Sequence, residues 1–515
     1  MKFKNPVLRG MYPDPSMCAA NGKYYMVCST FQYFPGVPLF ESDDLINWKQ
    51  IGHVLTRKSQ LLVDKNNTSA GIYAPNIRFH DGRFYMVVTN VSNIGNFYVY
   101  TDDIYGEWSD PILVEQDGID PTLFFDDDGK TYFISNGNDK DGTGYIQISE
   151  IDITNGKKLS ENKPLWYGTG GRYIEAPHLY KFGEYYYVLN AEGGTEYGHM
   201  VNYARSKNLM GPYEPCPANP ILTNRNLGGY QLQGAGHGDI LQAADGTWWF
   251  CHLAFRQIDR YMPFHHLGRE TCMEPVFWKD GWFYIGTQYN PRFTTQGFGT
   301  ALLEVEAPEN HKFTKQDFSY TKTFENLSQK NDWCFLCNPD ESKYVFNKDS
   351  IEITSSSVSI DSAEGSPSFT GVRQCEFNET TEVSVDFLKV ADGAEAGISV
   401  YMDPNHHYDL YVKAENGGYA AECSVKIGPA RQIIAKSGLS DAKASFKIVS
   451  APYGYTFYLI EGDKEINFGY TDSRYLSSEV ACGFTGVFTG LFVQGGDDIS
   501  RAKFTNLKIH HSEED

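Results

Sequence analysis

The stretch that decides the fold is 14-DPSMCAANGKYYMV-27. It opens on Asp-Pro, runs through a short apolar segment, turns at Asn21-Gly22 and continues as an aromatic strand. Asn-Gly ahead of such a run is a strong hairpin signal, because the tight turn needs positive φ at both central residues. Pro13 and Pro15 fix their own φ angles and bias the residues before them toward extended geometry, so Asp14 is expected on a stiff, extended stretch. Four other segments repeat the arrangement: 74-APNIRFHDGRFYMV-87, 120-DPTLFFDDDGKTYFI-134, 176-APHLYKFGEYYYVL-189 and 237-HGDILQAADGTWWFCHL-253. Their turn glycines (Gly22, Gly82, Gly129, Gly183 and Gly246) stand 60, 47, 54 and 63 residues apart, room for four short strands per repeat. Several repeats also end alike, as in 42-SDDLINWK-49, 101-TDDIYGEWSD-110 and 205-RSKNLMGPYE-214. Five four-stranded units with no sustained helical period predict an all-β fold led by a five-bladed β-propeller.

Composition agrees and narrows the partners. The 515 residues include 35 Tyr and 33 Phe, and the formal net charge is −21. Such an acidic surface repels phosphate backbones and anionic lipids, so neither nucleic acid nor membrane is expected as a partner. No apolar run is long enough for a membrane span. The opening MKFKNPVLRG lacks the apolar stretch of a signal peptide, which points to the cytoplasm, or to the periplasm if a leader has been removed. Several of the ten cysteines sit inside strand-like runs, as Cys28 and Cys251 do, and suit buried, reduced thiols. Cys334 and Cys337 form a lone C-x-x-C without a second pair, and are read as structural.

In a propeller the first strand of every blade lines the central channel, so equivalent positions converge on one axis. Immediately before the proline (glycine in the fifth repeat) stand Asp14, Ala74, Asp120, Ala176 with Glu175 just ahead of it, and His237. Three carboxylates and a histidine thus face one funnel, where small or apolar residues would pack without desolvating charge. Two carboxylates flanking a sugar are the equipment of glycoside hydrolysis: one protonated to assist the leaving oxygen, one ionised to activate water. A third nearby raises the acid's pKa by like-charge repulsion. The stretch 29-STFQYFPGV-37, with Phe31, and Tyr73 offer flat faces to a sugar ring.

The motifs 12-YPDPS-16, 72-IYAPNIRFHDGRFY-85, 118-GIDPTLFFDDDGKTY-132, 174-IEAPHLYK-181, 234-GAGHGDI-240 and 266-HLGRET-271 resemble, in order, the series of glycoside hydrolase family 43. The resemblance implies inverting enzymes of plant cell-wall pentose polymers on a five-bladed propeller spanning residues 1–295. It makes Asp14 the general base, Glu175 the general acid and Asp120 the group that orients the acid and raises its pKa. It places His237 beside a bound cation, usually calcium, with no organic cofactor, and has Arg269 contact sugar hydroxyls. Tyr73 stands where many members carry tryptophan and Ala176 where many carry glycine, two departures that bear on the exact sugar. Residues 296–320 read as a linker. Residues 321–515 alternate in short strands with Ser, Thr and Gly turns, as a β-sandwich does. There, 396-AGISVYMDPNHHYDLYVK-413 and 482-CGFTGVFTGLFVQG-495 resemble the concanavalin A-like C-terminal domain of the β-xylosidase branch, which closes the pocket over the propeller. Phe484 and Phe488 lie in its glycine-rich region, and Phe488 is expected among the substrate-binding residues. The expected activity is exo-acting release of a terminal pentose from hemicellulose-derived oligosaccharides, β-D-xylose slightly favoured over α-L-arabinofuranose. Oligosaccharide is the expected partner, with a homo-oligomer the other candidate. A non-catalytic carbohydrate-binding propeller would lack one of the acids, and a WD-type scaffold would repeat Trp-Asp blade endings.

Overall fold

A computed structural model describes residues 1–65, 68–286 and 299–513, so the expected boundary at 295/296 lies outside the described residues. Five four-stranded antiparallel sheets form in chain order, and the first strand of each touches the first strands of both neighbours until the ring closes. Those inner strands are Ser16–Ala20, Asn76–His80, Thr122–Phe125, Glu175–Phe182 and Leu232–Gln242. Every quoted turn glycine sits in the left-handed region, and in the first two blades the preceding Asn21 and Asp81 do too, with φ of 52° and 49°. These are the hairpins the Asn-Gly and Asp-Gly pairs announced.

The ring is closed by packing and not by a shared strand. Ser16 Oγ of blade 1 donates to Asp239 of blade 5 at 2.7 Å. The Asn5 amide donates to the carbonyls of Met273 and Leu302, both at 3.0 Å. Lys2–Lys4 pairs antiparallel with Glu304–Glu306, so the chain that leaves the propeller first runs back along its N-terminus.

The C-terminal part is a sandwich of two eight-stranded antiparallel sheets. In Glu379–Lys389 burial alternates, with Val383, Val385 and Phe387 turned into the core. One strand of the second sheet, Tyr33–Phe34, comes from the propeller and pairs with Cys334–Leu336. The two domains also share apolar clusters: Met11, Phe31 and Tyr33 pack with Phe369, Tyr401 and Phe488. Arg256 of the propeller forms buried ion pairs with Glu270 at 2.8 Å and with Glu376 of the sandwich at 2.7 Å. The loop before the last-but-one strand is pressed onto the propeller, where Val487 N–H donates to His266 O at 2.9 Å. A Cβ on Gly486 would lie 2.3 Å from the carbonyl oxygen of Leu267, so only glycine allows that approach. All ten cysteines are free, Cys334 and Cys337 included.

Candidate active site

The ends of the inner strands do not run straight into the funnel. Asp14, Asp120, Ala176 and His237 have φ of 56°, 53°, 53° and 46°, so the residue before the proline or glycine is left-handed in four of the five blades. The expected extended geometry of Asp14 is therefore wrong. The backbone turns sharply two residues ahead of the inner strand at Asp14 and Asp120, and within the strand at Ala176 and His237. In blade 4 the kinked residue is Ala176, with a register irregularity between Glu175 and His178. That bulge aims the preceding side chain, Glu175, at the pocket.

Asp14, Asp120, Glu175, Phe31, Tyr73, His237, Arg269 and Phe484 line one cavity of about 400 Å³. Asp14 is 5% exposed; its carboxylate accepts from Ser29 Oγ at 2.5 Å and from Arg269 Nη1 at 3.0 Å. Burial alone would raise its pKa, but Arg269, His237 and the Ser29 hydroxyl outweigh burial and hold it below the usual carboxylate value. Glu175 has no such partner, and burial followed by the charge of Asp14 pushes it up to about 7. Asp120 is driven above its ordinary value by burial and by Glu175, although the Ala176 N–H donates to its Oδ2 at 3.2 Å. The Asp120–Glu175 pair titrates together and retains a proton near neutral pH. One carboxylate is thus kept ionised and a facing pair is kept partly protonated.

Below the acids the axis is filled by a second polar cluster. Asp239, fully buried, accepts from Arg78 Nη1 at 2.8 Å, from Ser16 Oγ and, over a short bond, from the Tyr180 hydroxyl. Arg78 Nη2 donates to His178 Nδ1 at 3.0 Å, and the Asn76 amide bridges Ser16 and Thr122, 2.9 Å from each. Every blade contributes to this cluster. His237 sits between the two layers, its Nδ1 3.5 Å from Asp14 Oδ1, and burial lowers its pKa. The expectation of a calcium ion beside it meets an unsuitable donor set. A hard cation takes six to eight oxygens. Here Asp14 is spent on Arg269 and Ser29, and Asp239 on Arg78. Among the described residues no group of three or more His, Cys, Asp or Glu side chains is placed to hold a metal.

Residues 3–283 match the family model of glycosyl hydrolases family 43, and residues 321–509 match that of the β-xylosidase C-terminal concanavalin A-like domain. The chain belongs to glycosyl hydrolase family 43. It is a glycoside hydrolase that works without an organic cofactor. This family 43 enzyme is 36% identical, over 96% of its length and 91% of the relative's, to a non-reducing-end α-L-arabinofuranosidase of Bacteroides ovatus. It is 37% identical to a xylosidase/arabinosidase of Butyrivibrio fibrisolvens over 82% of each chain. Among solved structures it superposes on Bacteroides ovatus xyloglucan PUL GH43B with a TM-score of 0.89 and 34% identity, covering 99% of this chain and 100% of that one.

Within the enzyme most of the expected site residues meet, and one does not. Phe31 lies 5.8 Å from Tyr73 and 5.9 Å from Phe484, ring centroid to centroid, with the Arg269 guanidinium over both phenylalanines. Phe488 is absent from this wall. It is fully buried and stacks on Tyr33 at 4.0 Å, in the seam between the domains. Four residues earlier, Phe484 takes the place expected of it, its N–H anchored to Ser69 Oγ at 2.6 Å. Two further pocket residues carry no repeat signal. Thr195 Oγ1 accepts from Arg269 Nη1 at 2.8 Å. His199 has its Nδ1 3.0 Å from Gly234 O, and its ring fills the space where a Gly236 side chain would stand. A threonine and a histidine in a glycine-rich loop gave no pattern to find them by.

Proposed function

We propose that this enzyme removes a single non-reducing terminal pentose, β-D-xylosyl or α-L-arabinofuranosyl, with inversion at the anomeric carbon. The observation that carries the reading is the meeting in one cavity of Asp14, ion-paired with Arg269 at 3.0 Å, and Glu175, which burial and Asp14 push up to about 7. Asp14 takes a proton from water as the water oxygen attacks the anomeric carbon. Glu175 gives its proton to the departing glycosidic oxygen, and exchange with solvent resets both groups. Asp120 acts through Glu175: it accepts from the Ala176 N–H at 3.2 Å and so fixes the bulge that aims the acid. Arg269, already bonded to Asp14 and Thr195, presents its remaining surface to sugar hydroxyls.

Phe484 supports an exo mode, since it brings the sandwich into the pocket wall. The relatives' activities, on α-L-arabinofuranosides and on xylosides, fit the same pair of sugars. No step of this mechanism is routed through a cation on the axis. The test is hydrolysis of aryl β-D-xyloside and aryl α-L-arabinofuranoside followed by proton NMR of the first product. Release of the inverted monosaccharide is expected. A retained anomer would make one carboxylate a nucleophile and overturn these roles, and failure on both sugars would overturn the pentosidase reading.

A further inference from the structure

The cavity has a depth order that can be read from exposure. Asp14 on the floor is 5% exposed, Glu175 is partly exposed, and Tyr173, two residues before Glu175, is 60% exposed at the mouth. What sets Tyr173 apart from the chain's other exposed tyrosines, such as Tyr105 and Tyr470, is its place on the rim of a sugar-sized cavity. Tyr173 is also one of the few non-glycine residues in the left-handed region, with φ of 55°. That conformation is held from outside. Arg172 O accepts from Gly193 N–H at 2.9 Å, and Arg172 Nη2 pairs with Glu196 at 3.0 Å. The Arg172 guanidinium covers one side of the Tyr173 ring at 5.1 Å, and a Cβ on Gly194 would lie 3.3 Å from the ring edge. The rest of the ring borders the cavity.

We propose that Tyr173, with the Arg172–Glu196 pair beside it, forms the subsite for the first sugar of the leaving group. The assignment rests on the pentosidase reading above and extends it to the other side of the scissile bond. Glu175 must reach the glycosidic oxygen to protonate it, so the leaving group lies on the Glu175 side of the pocket and outward from it. Tyr173 stands there. A tyrosine ring offers a flat apolar face to the C–H face of a pyranose, while a guanidinium and a carboxylate on the same rim serve its hydroxyls. The ligand class is therefore a pyranosyl residue, such as the backbone xylose of a xylo-oligosaccharide, in preference to a furanose.

The test compares wild type, Tyr173→Ala and Tyr173→Trp on xylobiose and on an arabinofuranosyl-xylose disaccharide. Inhibition by free xylose and free arabinose is measured in parallel, since a monosaccharide reports on the inner site alone. Tyr173→Ala is expected to lower kcat/KM for the better disaccharide about five- to twentyfold, mainly through KM. The monosaccharide inhibition constants and the alkaline limb of the pH profile should stay within about twofold and a few tenths of a unit. Tyr173→Trp should retain the wild-type KM. Disaccharide kinetics indifferent to Tyr173→Ala would overturn the subsite alone. So would a parallel change in monosaccharide inhibition and the pH limb, which would mean that Tyr173 only props Glu175. A wild-type enzyme inert on every pentoside would overturn the pentosidase reading and the subsite with it.

Discussion

Two layers of carboxylates lie on one axis of this propeller, all of them wholly or partly buried, and they are opposite in state. In the lower layer Asp239 is met by Arg78, Ser16 and Tyr180, and despite burial its carboxyl is held far below the ordinary range. In the upper layer Asp120 and Glu175 face each other without a cation of their own and are pushed upward. Asp14, between them in character, is buried like the others but paired with Arg269. Burial therefore does not set the charge of these acids; the placement of two guanidiniums does. The lower layer locks five blades together, and the upper one keeps an acid and a base in one cavity.

The sharpest way to break the comparison is at its ionised member. Asp14→Asn should cut kcat about a thousandfold or more on every substrate, because Asp14 is the carboxylate held ionised beside Arg269 on the pocket floor to deprotonate the water. It also leaves Arg269 buried without its anion, so a lower Tm is expected alongside; a mutant that keeps a tenth of the activity would dethrone Asp14. The lower layer should answer in stability. Arg78→Met leaves Asp239 buried without its cation and is expected to cost about 3–5 kcal/mol, read as a drop in Tm on thermal unfolding. Arg78→Met combined with Asp239→Leu should recover most of that loss. A double variant as unstable as the single one would show that packing, and not charge, is what the layer supplies.

A smaller effect is expected where the layers differ in proton count. Glu175 is raised by burial and by Asp14, so Asp120→Asn should leave the alkaline limb of kcat/KM, set near 7 by Glu175, within a few tenths of a pH unit. A downward shift of a full unit would mean that the charge of Asp120, and not burial with Asp14, keeps the acid protonated. The smallest expected effect is that of chelation. With Asp239 neutralised by Arg78 and no cage around His237, exhaustive treatment with a divalent chelator should leave kcat within about twofold. A large loss restored by calcium would show a water-coordinated ion that the imidazole of His237 holds with little other help.

The propeller was legible because its signals are local. Asn21-Gly22 and Asp81-Gly82 dictate hairpins through their own φ preferences, and five copies in register leave few other architectures. Asp14, Asp120 and Glu175 were legible because repetition places equivalent positions on one axis. The backbone at Asp14 was misread for the same reason it was noticed: proline bias is a local rule, and the axial turn that overrides it is stabilised by Ser29 and Arg269, the latter 255 residues away in sequence. Phe484 and Phe488 could not be ranked from a glycine-rich string, since which of them faces the pocket depends on how Gly486 seats against Leu267. Thr195 and His199 belong to no repeat and acquire meaning only beside Arg269 and Gly234.

The strand Tyr33–Phe34 has a consequence in time. Its partner Cys334–Leu336 and the aromatic that stacks on it, Phe488, are synthesised long after it. At 5–20 residues per second the ribosome needs roughly 15–60 s to cover the ~300 residues between the two strands, and longer to reach Phe488. Through that interval the nascent propeller carries an unpaired strand and the bare apolar surface of Met11, Phe31 and Tyr33. Its pocket meanwhile lacks the wall that Phe484 supplies. The seam and the pocket wall are thus completed late, when Cys334–Leu336 and then Phe484 and Phe488 arrive on the surface that Tyr33–Phe34 has offered since its own synthesis.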